Sequence, residues 1–104
     1  MADGEAQIQQ FRELVDLFLG ELPERVASIL RAADEERFDE VLRLSHQIKG
    51  GAPGYGFVGV GDAAGRLESA VRALHEGGSP LEEVREALDS LVQMADRACE
   101  SGRD

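Results

Sequence analysis

At 104 residues, with 42% apolar and 31% charged side chains and 3 prolines, the chain is sized for one domain, 1–104, and is too rich in core-forming residues for a disordered segment. Its formal net charge of −10 excludes nucleic acid and an anionic membrane surface as partners. No apolar run approaches the roughly 20 residues of a membrane span, and the acidic start Met1-Ala2-Asp3-Gly4-Glu5 is unlike the basic start of a signal peptide, so a cytoplasmic protein is expected.

Apolar residues recur with helical spacing nearly throughout, and no stretch alternates with period two for long enough to make a strand, so the fold class is all-α. Ile8, Phe11, Val15 and Phe18 predict a first helix over about 5–19, interrupted by Gly20 and Pro23. A second helix is expected from Pro23, since proline suits a first turn where its missing N–H would be unpaired anyway; Val26, Ile29, Leu30 and Ala33 form its face, and Asp34, Glu35 and Glu36 close it. The third should start about Glu36, with acids placed to suit the helix dipole, and bury Phe38, Val41, Leu42, Ser45, Ile48 and Ala52 before Pro53 stops it.

Residues 53–59, Pro53-Gly54-Tyr55-Gly56-Phe57-Val58-Gly59, read as a loop whose two aromatics can pin it to the core. A fourth helix follows, with Val60, Ala63, Ala64, Leu67, Ala70, Val71 and Leu74 on one face and Gly77-Gly78 as a left-handed cap. Ser79-Pro80-Leu81-Glu82 is a capping box with proline at the first helical position, and it opens a fifth helix that carries Leu81, Val84, Leu88, Leu91, Ala95 and Cys99 to about residue 100. Short connections between amphipathic helices favour antiparallel neighbours. The expected architecture is an antiparallel four-helix bundle with an additional N-terminal helix.

The chemistry-bearing stretch is His46-Gln47-Ile48-Lys49-Gly50-Gly51, which holds the only lysine of the chain. On a wheel of about 100° per residue, the buried set of the third helix centres roughly 125° from His46, so the imidazole points to solvent. Lys49 and Gly50, three and four residues on, neighbour it on the same surface. The lysine supplies a cation, its stem resting on apolar surface while the amine reaches water. The glycine supplies room, and consecutive glycines in a last helical turn give up about 1 kcal/mol each relative to alanine. Taken alone, a solvent-facing histidine is ordinary surface. With a cation beside it and open backbone below, it suits a histidine that carries a phosphoryl group, because phosphoryl transfer depends mostly on positioning and charge neutralisation and an imidazole is substantially neutral near pH 7. Arg43, three residues the other way, could assist.

Charge is unevenly placed around this stretch. Residues 1–40 carry 11 acids against 4 bases and residues 76–104 carry 8 against 3. Residues 41–75 hold Arg43, Lys49, Arg66 and Arg72 against only Asp62 and Glu68, a block of +2. That block contains His46.

The stretch, preceded by Phe18-Leu19-Gly20-Glu21-Leu22-Pro23-Glu24-Arg25 and followed by Tyr55-Gly56-Phe57 and Leu67-Glu68, resembles histidine-containing phosphotransfer (HPt) domains over about residues 11–100. In that family the histidine of an H-x-[LI]-K-G core, on a helical bundle, exchanges a phosphoryl group with an aspartate of receiver domains. The resemblance implies that His46 is phosphorylated, that Lys49 supports the phosphate, and that Gly50 and Gly51 give the partner access. It implies as partners a response-regulator receiver domain, a hybrid histidine kinase, or both. It further implies no cofactor on this chain, with Mg²⁺ expected on the receiver, and a monomer. Ser45 stands where alanine is common in the family and can bond back to the Val41 carbonyl.

Other features carry less. Gly54-Tyr55-Gly56-Phe57-Val58-Gly59 satisfies G-x-G-x-x-G, but a helix precedes it where a dinucleotide site needs a strand. His75 beside Glu76 reads as a helix C-terminal cation, and Cys99, alone, as a buried inert thiol. Two histidines and one cysteine far apart give no metal-ligand spacing. No nucleotide-binding motif is present, so the chain is read as a phosphoryl carrier without kinase activity of its own rather than an enzyme. A non-phosphorylated helical adaptor for a receiver or kinase is the alternative, and a hydrolase stands behind both.

Overall fold

The computed structural model describes residues 2–78 and 80–101. The described residues form four α-helices, α1 (Ala2–Asp34), α2 (Phe38–Gly51), α3 (Val58–His75) and α4 (Leu81–Ser101), with a 3₁₀ turn over Ala52–Tyr55 between α2 and α3. Among the described residues there is no strand. Each helix packs against two others, α1 on α2, α2 on α3, α3 on α4 and α4 on α1, which closes a four-helix ring. Neighbours run in opposite directions. His46 on α2 meets Glu68 on α3, whereas Phe38 at the start of α2 meets His75 at the end of α3. Along α1 and α4, Pro23 shares a surface groove with Cys99, while Ala33 shares one with Val84.

The separate N-terminal helix expected ahead of Pro23 does not exist as such. α1 runs unbroken through Gly20 and Pro23. A proline inside a helix removes one hydrogen bond and destabilises by about 3 kcal/mol. Phe18, Leu19, Leu22, Val26 and Ile29, on either side of it, are nevertheless buried on one continuous face. Full burial of each large aliphatic side chain stabilises by about 1.5–3 kcal/mol, so the face outweighs the defect. The carbonyl that residue 23 would have bonded, that of Leu19, instead faces Cys99 Sγ at 3.8 Å. Cys99 is half-buried in this contact.

Residues 4–14 of α1 are exposed on every side. Ile8 and Phe11 therefore lie beyond the core that their spacing predicted for them. The core itself lies between the four helices, with Leu22, Ile29, Val41, Ile48, Leu67 and Leu91 among its fully buried members.

The connections follow from local chemistry. α1 ends with Glu36 in the left-handed region (φ 59°), Arg37 N–H donating to the Ala32 carbonyl at 2.8 Å and Glu36 N–H to that of Ala33 at 3.0 Å. α3 ends the same way at Gly77 (φ 75°), as its glycine pair predicted, with Gly78 N–H on the Ala73 carbonyl at 2.8 Å. α2 begins at Phe38, two residues later than expected, and stops at Gly51, one residue short of Ala52. Pro53 then sits in the first turn of the 3₁₀ segment, so part of the expected loop is helical, and α3 begins inside that loop, at Val58. Tyr55 and Phe57 pin the connection by stacking on Phe18, at ring-centroid distances of 5.1 and 5.7 Å. The capping box expected at Ser79 lies outside the described residues.

Candidate phosphotransfer site

The site lies on the α2–α3 seam. α2 buries Val41, Ser45 and Ile48 and leaves His46 on its outer flank, as the helical wheel required. Ser45 is fully buried, and its hydroxyl donates to the Leu42 carbonyl at 3.1 Å, one residue on from the expected Val41. α3 contributes the residue that organises the rest. Glu68 falls on the buried stripe with Ala64, Leu67 and Val71, and its side chain is only 6% exposed.

Three cationic or donor groups converge on that carboxylate. His46 Nδ1 is 2.6 Å from Glu68 Oε2, Lys49 Nζ donates to Oε1 at 3.0 Å, and Arg72 Nη2 stands 3.6 Å from Oε2. Burial pushes the Glu68 carboxyl up, but the hydrogen bonds from Lys49 and His46 and their charges outweigh it and hold the group below its usual value. Glu68 is therefore an ionised acceptor near neutral pH, and an ionised carboxylate can only accept. The 2.6 Å contact then assigns the imidazole hydrogen to Nδ1. Nε2, which holds the lone pair whenever the ring is neutral, has no hydrogen-bond partner among the described residues and belongs to a side chain that is 68% exposed.

His46, Lys49, Gly50 and Gly51 all lie on the last turns of α2. A Cβ added at Gly50 or Gly51 would meet nothing within 4 Å, so the surface next to the ring is open. Arg43 is elsewhere in its bonding: its guanidinium is paired with Glu40, whose carboxyl it holds below the usual range, and it does not join the cluster on Glu68. Arg72 is the arginine that does. Lys49 also goes beyond expectation, because its amine, on a side chain that stays half exposed, reaches a buried carboxylate. Glu68 itself was missed as a functional residue. The signal was present: it is one of two acids in the +2 block, and its i, i+4 and i+3 relations to Ala64 and Val71 set it on an apolar stripe where an unpaired acid would be costly.

A family model for the Hpt domain matches residues 13–99. The chain belongs to the Hpt domain family. No curated protein and no solved structure matches it. Hpt domains are helical bundles that serve phosphorelays as histidine phosphotransfer modules, not as kinases, and they interact with receiver domains and histidine kinases. In this Hpt domain no helix among the described residues is long and apolar enough to cross a membrane. His75, the other histidine, lies at the end of α3 with its ring edge-on to Phe38, 6.5 Å between centroids, where the helix dipole favours a cation-capable group.

Proposed function

We propose that this Hpt domain carries a phosphoryl group on Nε2 of His46, taking it from a receiver aspartyl phosphate or from a kinase and passing it to a receiver. The observation that carries the reading is the 2.6 Å contact between Nδ1 and buried Glu68, which leaves the outward nitrogen as the nucleophile. In the forward step the Nε2 lone pair attacks phosphorus, the N–P bond forms, and the P–O bond to the donor aspartate breaks with its electrons returning to that carboxylate. No proton has to leave. The hydrogen stays on Nδ1, the ring becomes a phosphoimidazolium, and the charge it gains is met by Glu68, as an orienting carboxylate meets an imidazolium elsewhere. Transfer onward reverses the same bonds, with the ring electrons recovered as N–P breaks.

The remaining roles follow from charge and space. Lys49, held on Glu68, keeps a cation beside the ring and supports the phosphate. Gly50 and Gly51 leave the approach open to a receiver surface. Arg43, tied to Glu40, has at most a steering contribution. The domain acts as a cytoplasmic monomer without a cofactor, and Mg²⁺ serves the receiver's carboxylate cluster. Incubation with a phosphorylated receiver tests the reading. His46 should be labelled as a phosphoramidate, lost in acid and stable in alkali; His46→Gln should keep its fold and lose all labelling. Labelling that persists in His46→Gln would sink the proposal and leave a helical adaptor.

A further inference from the structure

α3 carries glycines, each of which weakens a helix interior relative to alanine. At Gly61 the reason is packing, since a Cβ there would lie 2.8 Å from Pro53 Cγ. Gly65 is different. The three atoms of the surrounding bundle nearest to a Cβ at 65 all belong to the side chain of Lys49, Cδ at 3.5 Å and Cγ and Cε at 3.7 Å, which is ordinary contact. No contact tighter than 3.5 Å demands a glycine there, and the group nearest to the space is the lysine stem.

We infer that Gly65 is a positioning residue of the phosphotransfer site: its bare backbone is the seat across which the Lys49 stem lies, so that the amine is delivered to Glu68 one turn farther along α3. This rests on the function proposed above and names a residue through which that site is assembled. A free lysine keeps its rotamer freedom by remaining in solvent. Lys49 is half exposed, at 51%, yet its Nζ is on Glu68 Oε1 at 3.0 Å. With the Cγ, Cδ and Cε methylenes all against Gly65, the stem has one track to follow, and the track ends at the carboxylate. A methyl at 65 leaves that track open. A longer side chain occupies it, and Lys49 must then leave Glu68 with His46 and the more distant Arg72 as its remaining partners.

The test is a double-mutant cycle between positions 65 and 49, read two ways: the titration of the Glu68 carboxyl followed by its own carbon resonance, and the rate of phosphoryl transfer from a phosphorylated receiver. Asp62, Arg66, Glu83 and Glu86 line the groove beside Lys49, which is why the resonance of Glu68 itself is followed. Gly65→Leu should move the Glu68 midpoint upward and slow transfer about tenfold, the size expected for one hydrogen bond to a charged group. Lys49→Ala should do the same, and the two together should do no more than Lys49→Ala alone. Gly65→Ala should retain most of the transfer. Gly65→Val blocks the same track with fewer atoms and serves if Gly65→Leu does not fold. An unmoved Glu68 midpoint in Gly65→Leu or Gly65→Val would overturn the inference, as would a loss of transfer equally large in the Lys49→Ala background, which would place Gly65 on the docking surface instead. A domain that accepts no phosphoryl group at all would end the proposed function, and the Glu68 titration would still decide the role of Gly65.

Discussion

Pro23 on the α1–α4 seam and Gly65 on the α2–α3 seam are both poor residues for a helix interior, and the bundle treats them differently. Around Pro23 the defect is absorbed. Apolar burial on either side keeps α1 continuous, and Cys99 turns its sulfur to the carbonyl that proline left without a partner. Around Gly65 the defect is used. The space left by the absent side chain is filled by a lysine stem, and a polar cluster is assembled beside it on a carboxylate that the core has nearly closed over. A local violation with its consequence confined to one backbone carbonyl marks a scaffold. One that reorganises ionisable groups near an exposed nucleophile marks a site.

That contrast can be broken at Glu68 with the largest effect. Glu68→Gln keeps the shape and removes the charge, and transfer should fall about 10–100-fold, since hydrogen bonds to charged groups are worth about 1.5–3 kcal/mol. Acid should act in the same direction on the parent. The Glu68 carboxyl is held low in the folded state, so its stabilising contribution is present above its unfolded value, near 4.5, and is lost as pH falls through the lower folded one. An acid-unfolding profile in which Glu68→Gln loses no less stability below pH ~4.5 than the parent does would mean the carboxylate adds nothing to the seam.

Gly50 sharpens the comparison by separating access from stability. It has helical geometry in α2, and a Cβ there would meet nothing within 4 Å. Gly50→Leu should therefore be at least as stable as the parent, by up to about 1 kcal/mol, yet lose most of its transfer because a branched side chain stands one turn from His46. A melting curve together with a transfer assay decides it: a stable variant that transfers at the parental rate would show that the receiver does not approach over this surface.

The smallest effect is expected on the other seam. Cys99→Ala leaves the Leu19 carbonyl without its sulfur partner and should lower stability by no more than about 1 kcal/mol, with transfer unchanged. Denaturant unfolding and the transfer assay check both halves. Slower transfer in Cys99→Ala would show that the two seams are coupled.

Much of the fold was legible because helices announce themselves locally. The apolar periodicity, the glycine pair after His75, and Pro53 beyond the histidine run set element type and most boundaries within a few residues. The outward direction of His46 followed from the same periodicity, as did the nearness of Lys49, Gly50 and Gly51. Pro23 misled for a physical reason: its local preference for a first turn is real, but it was outweighed by a face buried against two other helices, α2 and α4, which no short window of sequence contains. The expected Arg43 contact failed to join the site because a closer acid, Glu40, lies on the same helix.

By itself, then, the sequence determined an all-helical chain with an exposed histidine, a lone lysine and two glycines on one surface, since those relations depend only on the pitch of a single helix. Which imidazole nitrogen is free, where the lysine amine goes, and why Glu68 and Gly65 matter were decided only when α3 was laid against α2. Contacts across 19 and 22 residues of sequence depend on how two helices register against each other, and that register is set by burial over the whole bundle rather than by the residues that meet.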